Sequence, residues 1–234
     1  MSVRLSVIIP CYNEDPTLAQ VIRTVRATPQ DGGLEIILVD DGSSLPAESL
    51  LPPEVRSMVD ILERHPANRG KGAAIRTGFG RASGEYVLIQ DADLEYHPRE
   101  YRRLLEPLLA GVADVVYGSR FAGGDSHRVL YFWHYAGNRA LTLLSNMCTN
   151  LNLTDMETGY KVFRRSVLEG LQLRENRFGI EPEITAKISR VPGVRIYEVG
   201  ISYFGRTYAE GKKIDWKDGL WAIVCILRYG LLRR

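Results

Sequence analysis

The stretch YVLIQDADLEYHP, residues 86–98, decides how this chain folds. Tyr86, Val87, Leu88 and Ile89 form a short apolar run, the pattern of a strand buried on both faces. The run passes through Gln90 into Asp91 and Asp93, two carboxylates one residue apart. Such a pair raises its own pKa values unless a cation lies between the carboxylates. Oxygen-only ligands favour Mg2+ or Mn2+, and Mg2+ retains waters and shares phosphate ligands. A D-x-D at a strand end therefore points to a metal–diphosphate site. The alternative is a pair of solvated turn aspartates.

Working outward from this strand, the first half of the chain alternates strands and helices. LSVIIP (5–10), EIILVD (35–40), VDILER (59–64) and DVVYGS (114–119) read as further strands. Helices are expected over 15–27, 70–83 and 98–110. Asp15 is placed to cap the first of them, with Pro16 at its first helical position. Residues 45–57 read as a Pro-containing connection. Beyond residue 120 the alternation is less clean: a helix over 131–150, a strand over 158–163, a helix over 181–190 and a strand over 194–199. Alternation of this kind implies an α/β fold with a mostly parallel sheet, whose ligands sit at the carboxyl ends of the strands. PCYNE, DDGSS and DAD each follow a strand. Together they gather Glu14, Asp40, Asp41, Asp91 and Asp93 toward one rim.

Composition narrows the function classes. A net charge of +2 over 234 residues gives no reason to expect a nucleic-acid partner. Cys11, Cys148 and Cys225 lie far apart with no CxxC, which signals neither a zinc site nor a disulfide framework. Reduced thiols in a cytosolic setting fit best. No signal peptide is visible, and the longest apolar run, LWAIVCIL (220–227), is far short of the about 20 residues a spanning helix needs. Residues 205–234 carry seven Lys or Arg against three acids, a local +4. With Trp216, Trp221 and Tyr229 this segment reads either as a basic aromatic surface for an anionic membrane or as a terminal helix packed on the domain.

Other phosphate-binding motifs fail. GKGAAI lacks the P-loop spacing, and no GxGxxG follows the first strand. A phosphatase of the D-x-D-x-T type would want its aspartates after the first strand, and here Leu94 and Glu95 follow the pair.

Taken together, SVIIPCYNE, EIILVDDGSS, NRGKGAAIRTGF, YVLIQDADLEYHP and YGSRF resemble the family 2 glycosyltransferases with the GT-A fold, over about residues 3–206. GSRFAGG, NRALTLLSN, TGYKVFRR, FGIEPEITAKI and YFGRTYAEGKK are most similar to the polyprenyl-phosphate sugar synthases, of the dolichyl-phosphate mannose or glucose type. The resemblance implies a GT-A domain over 1–206 with a C-terminal amphipathic extension over 207–234. It implies that Pro10, Tyr12 and Glu14 hold base and ribose, that Asp40 contacts the same end of the donor, and that Lys71 lies in the loop over the nucleotide. Asp91 and Asp93 would flank Mg2+ or Mn2+, with Glu95 at the third metal position, where the mannose enzymes often carry Gln. Arg120, Arg139, Ser145, Arg206 and Lys212 would meet the acceptor phosphate, with Asp91, Asp93 and Arg120 at the reaction centre.

The implied reaction is inverting transfer of a hexose from a nucleotide diphosphate sugar (GDP-mannose or UDP-glucose) to a polyprenyl phosphate such as dolichyl or undecaprenyl phosphate. A lipid phosphate is already ionised at neutral pH, so it needs in-line cations and no general base. A sugar hydroxyl would need a base, for which Glu181 and Glu183 are the candidates, each equally readable as a helix-start acid. Other rivals are a sugar-nucleotide pyrophosphorylase, disfavoured because PCYNE has no glycine, and a nucleotide-sugar binding module without turnover. VLYFWHYAGN (129–138) reads as either a lipid-facing element or core, while His65, His97 and His134 read as loop or packing residues. The expected setting is peripheral, at the cytoplasmic face of a membrane, reached directly or through a membrane anchor protein.

Overall fold

A computed structural model describes residues 3–29, 32–123, 128–129, 131–206 and 216–232. Seven strands form one sheet in the order β3-β2-β1-β4-β6-β5-β7. They are β1 (Val3–Cys11), β2 (Gly33–Asp40), β3 (Ile61–Arg64), β4 (Tyr86–Ile89), β5 (Val115–Ser119), β6 (Lys161–Arg164) and β7 (Ile196–Gly200). Every pairing is parallel except those of β6, which runs antiparallel between β4 and β5. The expected mostly parallel α/β architecture is what the chain adopts.

The central strands read as unbroken apolar runs because both their faces are covered. Side chains alternate across the sheet. Val7 and Ile9 pack with Leu18, Val21 and Ile22 of α1 (Asp15–Ala27) and with Leu104 and Leu108 of α5 (Tyr101–Leu109). Ile8 and Ile37 face the other way, toward Ile75 of α4 (Lys71–Phe79), Ile180 and Ile184 of α8 (Ile180–Ile188), and Ile226 of α9 (Trp216–Gly230). The 45–57 connection contains two short helices, α2 (Ala47–Leu50) and α3 (Pro53–Arg56). Two more elements complete the chain, α6 (Phe132–Thr149) and α7 (Arg165–Glu169).

Two local expectations are corrected. The cap position of α1 falls on Glu14, one residue before Asp15, and no side chain caps the helix. The helix expected over 70–83 stops at Phe79, because Gly80 and the turn after it return the chain to β4. His65 lies in the loop after β3, as expected, yet it is buried there, with Nδ1 2.6 Å from an Asp41 carboxylate oxygen and Nε2 2.9 Å from Thr77 Oγ1. It ties the end of β2 to α4.

Nothing larger than a hydrogen fits where α4 crosses β1. A Cβ on Gly78 would stand 2.4 Å from Ile8 Cγ2. Gly78→Ala is therefore expected to cost about 1–3 kcal/mol through overpacking. The check is a urea titration in which the midpoint falls while the slope stays constant; an unmoved midpoint would count against this packing.

Candidate active site

The loops after β1, β2 and β4 meet at the carboxyl edge of the sheet. They line a cleft of about 720 Å3 closed on its far side by α6 and α9. Two loop-tip residues take left-handed backbone, Asn13 (φ 51°) and Leu94 (φ 61°). Each turns the chain sharply so that polar groups meet across the loops. Asn13 Oδ1 accepts from Ser44 N at 2.9 Å, joining the first loop to the second. The Leu94 turn lets Glu95 N donate to Asp93 Oδ1 at 3.2 Å. Gln90 is wholly buried beneath this turn. It donates to the carbonyls of Asp91 and Tyr96 and accepts from the hydroxyls of Tyr101 and Tyr160 at 2.7 and 2.6 Å. The D-x-D turn thus rests on a fully bonded amide.

Asp91, Asp93 and Glu95 all line the cleft, as do Lys71 and Arg206. Lys71 Nζ lies 2.8 Å from Asp91 Oδ1 and 3.6 Å from Glu181 Oε1. Burial by itself would lower the Lys71 pKa, but Asp91 and Glu181 outweigh it and hold the ammonium charged. Arg206 reaches Asp93 at 2.7 Å, Glu95 at 3.3 Å and Glu14 at 3.6 Å. Burial, then the charges of Asp91 and Glu95, push the Asp93 carboxyl up to about 7, against the pull of Arg206. Gly159 N–H donates to Tyr96 Oη at 3.0 Å, and a Cβ on Gly159 would stand 2.4 Å from Asp91 Oδ2. Only glycine leaves room for that carboxylate.

The three carboxylates expected around a metal all line the cleft, and each already has partners. Hard carboxylate oxygens that crowd one another in a cleft suit Mg2+ or Mn2+. Asp91 pairs with Lys71, and Asp93 accepts from Glu95 N and Arg206 Nη2. Glu95 Oε1 accepts from Arg206 N at 2.9 Å, and Oε2 from Tyr203 Oη at 2.7 Å. Among the described residues no three His, Cys, Asp or Glu side chains are gathered tightly enough to enclose an ion by themselves. A pair of carboxylates leaves the remaining positions for water and phosphate, the arrangement Mg2+ prefers.

Pro10, Tyr12 and Glu14 line the cleft, but Asp40 does not. Neighbouring residues at a strand end point to opposite sides, so only one of the two aspartates can face the ligand. Asp40 turns inward, accepts from Ser43 N at 2.8 Å and Ala47 N at 3.0 Å, and pairs with Arg64. Asp41 is the one on the cleft wall. Its carboxylate also receives Asn68 Nδ2, Arg69 N and Gly70 N, which folds the loop that delivers Lys71.

The expected acceptor residues divide. Arg120 lines the cleft, its Nε and Nη2 held by the wholly buried Asp155 at 2.6 and 2.7 Å. Arg139 is on the exposed side of α6 and outside the cleft, and Ser145 is buried on the inner side of the same helix. Six positions of helix separate them, so they cannot both turn to one ligand while α6 packs as it does. Lys212 lies outside the described residues. Glu181 and Glu183 separate as well. Glu181 is in the cleft wall, whereas Glu183 accepts from Arg174 N, Glu175 N and Lys187 Nζ. Glu183 is thereby spent on the preceding loop and is not a base. His134 lines the cleft rather than only packing.

Sequence reasoning missed Glu157, Tyr96, Tyr203 and Asp218 in the cleft wall. Tyr96 and Tyr203 stand inside YVLIQDADLEYHP and YFGRTYAEGKK, where no role was read for them, while Glu157 and Asp218 come from a connection and from α9 with no motif to mark them.

The description "Glycosyl transferase family 2" matches residues 6–171, and the chain belongs to that family. It is 30% identical over 215 residues to an undecaprenyl-phosphate 4-deoxy-4-formamido-L-arabinose transferase of Pseudomonas aeruginosa, covering 89% of this chain and 60% of that one. It is 28% identical over 217 residues to a dolichol-phosphate mannosyltransferase of Pyrococcus furiosus, covering 91% of this chain and 61% of that one. The chain thus spans about 60% of the length of these curated relatives. Its fold is that of a glucosyl-3-phosphoglycerate synthase from Mycobacterium tuberculosis crystallised with Mn2+ and uridine diphosphate glucose, with a TM-score of 0.76 and 21% identity over 97% of this chain and 79% of that one. The GT-A fold class expected from the sequence is thereby established.

Burial, and then the charge of Glu181, push the Glu157 carboxyl up to about 7, against Lys161 and Arg120. The sign of the stability effect follows from linkage. An unfolded Glu titrates near the ordinary value of about 4.3, so between there and about 7 the unfolded chain loses a proton that the folded chain keeps. Glu157 therefore destabilises the fold increasingly as pH rises through that window. Glu157→Gln removes the effect. Thermal melts are expected to show the variant level with the parent near pH 4.5 and more stable at pH 8; a gap independent of pH would contradict the assignment.

Proposed function

We propose that this chain is a metal-dependent, inverting hexosyltransferase that carries a sugar from a nucleotide diphosphate to a polyprenyl phosphate at a membrane surface. The observation that carries this reading is the two-sided cleft. Its floor presents carboxylates and Lys71 at the strand ends, and its far wall is the pair α6 and α9, whose outer sides are apolar. Trp133 belongs to both: it lines the cleft and is 81% exposed. Phe132, Leu143 and Met147 on α6, and Leu220, Trp221, Val224, Leu227 and Leu231 on α9 or just after it, continue that surface. The helices pack together where Gly230 stands against Cys148. α6 contains no acid, and Arg139 and Arg228 stand exposed on the two helices. An apolar surface with basic groups suits a lipid headgroup region. No helix among the described residues is long and apolar enough to cross a membrane. The relatives named for undecaprenyl-phosphate and dolichol-phosphate transfer support the acceptor class, and nothing supports an anchoring protein partner.

In this reading Asp91 and Asp93 hold a divalent cation. When bound, the cation stabilises the negative charge of the departing nucleoside diphosphate. Pro10, Tyr12 and Asp41 border the nucleotide, and Lys71 adds a positive charge beside Asp91. The acceptor is an anion when it arrives, so no proton has to be removed. Arg206 and Arg120 are the cations in the cleft suited to orient its phosphate. Arg120 is rigid because Asp155 fixes it, while Arg206 reaches across from the segment after β7 to the carboxylates. A hydroxyl acceptor is the second reading, favoured by one feature: Glu181 lines the cleft and its Oε1, 3.6 Å from Lys71 Nζ, has no hydrogen-bond partner.

The test is transfer of labelled sugar from UDP-glucose and GDP-mannose to a polyprenyl phosphate in detergent, with Mn2+ and with chelator. The expected product is a lipid-phosphate sugar that chelator abolishes. Asp93→Asn is expected to lower kcat by at least about 100-fold, comparable to the loss of one strong electrostatic stabiliser. Transfer to sugar hydroxyls alone, lost in Glu181→Gln, would replace the lipid reading with the second one.

A further inference from the structure

Three buried side-chain polar atoms among the described residues lack a hydrogen-bond partner: Arg4 Nε, Glu157 Oε1 and Glu181 Oε1. Arg4 lies at the opposite end of β1 from the cleft. The other two are carboxylate oxygens in the wall of the same cleft. Buried acceptors are almost always satisfied in a folded protein, and two without a hydrogen-bond partner in one pocket wall, one of them with only the Lys71 ammonium at 3.6 Å, are places for a ligand's donors.

Both groups are held firmly. Glu181 is only 3% exposed, and its other oxygen is bonded to the wholly buried Lys161, which is itself tied to the Thr158 carbonyl. The Lys161 ammonium also lies 5.1 Å from the Tyr117 ring centroid. Glu157 hangs from a segment pinned on both sides, by Met156 N to Thr142 Oγ1 at 3.1 Å and by Gly159 N to Tyr96 Oη at 3.0 Å. The Glu181 carboxylate is thus fixed in place, and the backbone that carries Glu157 is fixed on both sides.

Their position defines which part of a ligand they meet. Lys71 Nζ lies between Asp91 and Glu181, so the Glu181 oxygen is one side chain away from the carboxylates assigned to the metal and diphosphate, and Glu157 lies near enough to feel the Glu181 charge. In a nucleotide diphosphate sugar the group joined to the outer phosphate is the sugar. Carboxylates repel phosphate and accept strongly from hydroxyls. The raised pKa of Glu157 adds a proton that a sugar oxygen can accept near neutral pH.

We infer that Glu157 and Glu181 form the sugar-reading subsite of the cleft, accepting hydroxyls of the transferred hexose and thereby selecting which hexose the chain uses. This rests on the nucleotide-sugar reading above and adds the residues that discriminate between donors. It also gives Glu181 a binding role in place of a general-base role. A site built to accept a particular hydroxyl rejects an analogue that lacks it far more strongly than an apolar pocket rejects a missing methylene.

The test is calorimetric titration of the full chain with Mn2+. The ligands are UDP, GDP, UDP-glucose, UDP-galactose, UDP-N-acetylglucosamine and GDP-mannose, against the parent, Glu157→Gln and Glu181→Gln. The parent is expected to bind one sugar nucleotide at least tenfold more tightly than its epimers or analogues. Each variant is expected to lose at least fivefold for that sugar nucleotide while binding the parent nucleoside diphosphate within twofold, which also serves as the control for folding. Deoxy forms of the preferred donor should lose affinity for the parent and little further for the variant that reads the missing hydroxyl. Equal losses for nucleoside diphosphate and sugar nucleotide, or no loss at all, would overturn the inference while leaving the nucleotide-sugar reading intact. Unchanged donor binding with transfer abolished in Glu181→Gln would assign that residue as a base instead. If the parent binds none of the six, the nucleotide-sugar reading fails and the subsite with it.

Discussion

Repulsion among carboxylates at one edge of a parallel sheet is the constraint on which the rest of this structure depends. Glu14, Asp91, Asp93, Glu95 and Glu181 all face one cleft, and none can be relieved by solvent alone. The fold answers with fixed cations placed between them. Lys71 spans Asp91 and Glu181, and Arg206 spans Glu14, Asp93 and Glu95. The glycines, tyrosines and buried amide around the D-x-D turn hold these charges at fixed separations. Charges held in this way have little left to reorganise when the cleft is filled.

This arrangement also explains why the polar loops are stiff. Asp41 gathers the 65–70 segment by three donors and a histidine, and that segment delivers Lys71 to its place. Arg120 is locked by Asp155, on the same connection that carries Glu157. The anchor of Arg120, proposed for the acceptor, and Glu157, proposed for the donor sugar, therefore share one short stretch of backbone.

Much of this was legible in the sequence because local chemistry and position coincide there. Asp91 and Asp93 follow a strand whose burial is evident from its residues, and Lys71 begins a helix whose motif is contiguous. Asp40 and Asp41 show the limit. Composition cannot distinguish two identical neighbours, and only the strand's twist and register decide which faces the cleft. Glu181 and Glu183 pose the same problem on a helix, where two positions are about 200° apart and one must turn away. Ser145 and Arg139 were placed by likeness, without knowing which side of α6 packs inward. Glu157 was unreadable because it sits in a connection whose position is set by tertiary contacts, and Tyr96 and Tyr203, though inside quoted motifs, carry no charge to single them out. The reversed direction of β6 was equally hidden, since a short apolar run carries no sense of orientation.

That reversed strand has a consequence for how the molecule comes to exist. β6 fills the gap between β4 and β5, although both precede it in the chain. As synthesis proceeds, β3, β2, β1 and β4 can pair among themselves, but β4 keeps a bare edge until residues 161–164 emerge. A buried, apolar strand with an open edge is a template for pairing with other chains. The same late strand brings Gly159 against Asp91 and seats Lys161 beneath Glu181. Insertion of β6 thus joins the two parts of the sheet and sets these cleft residues in one step, before β7 and α9 complete the fold.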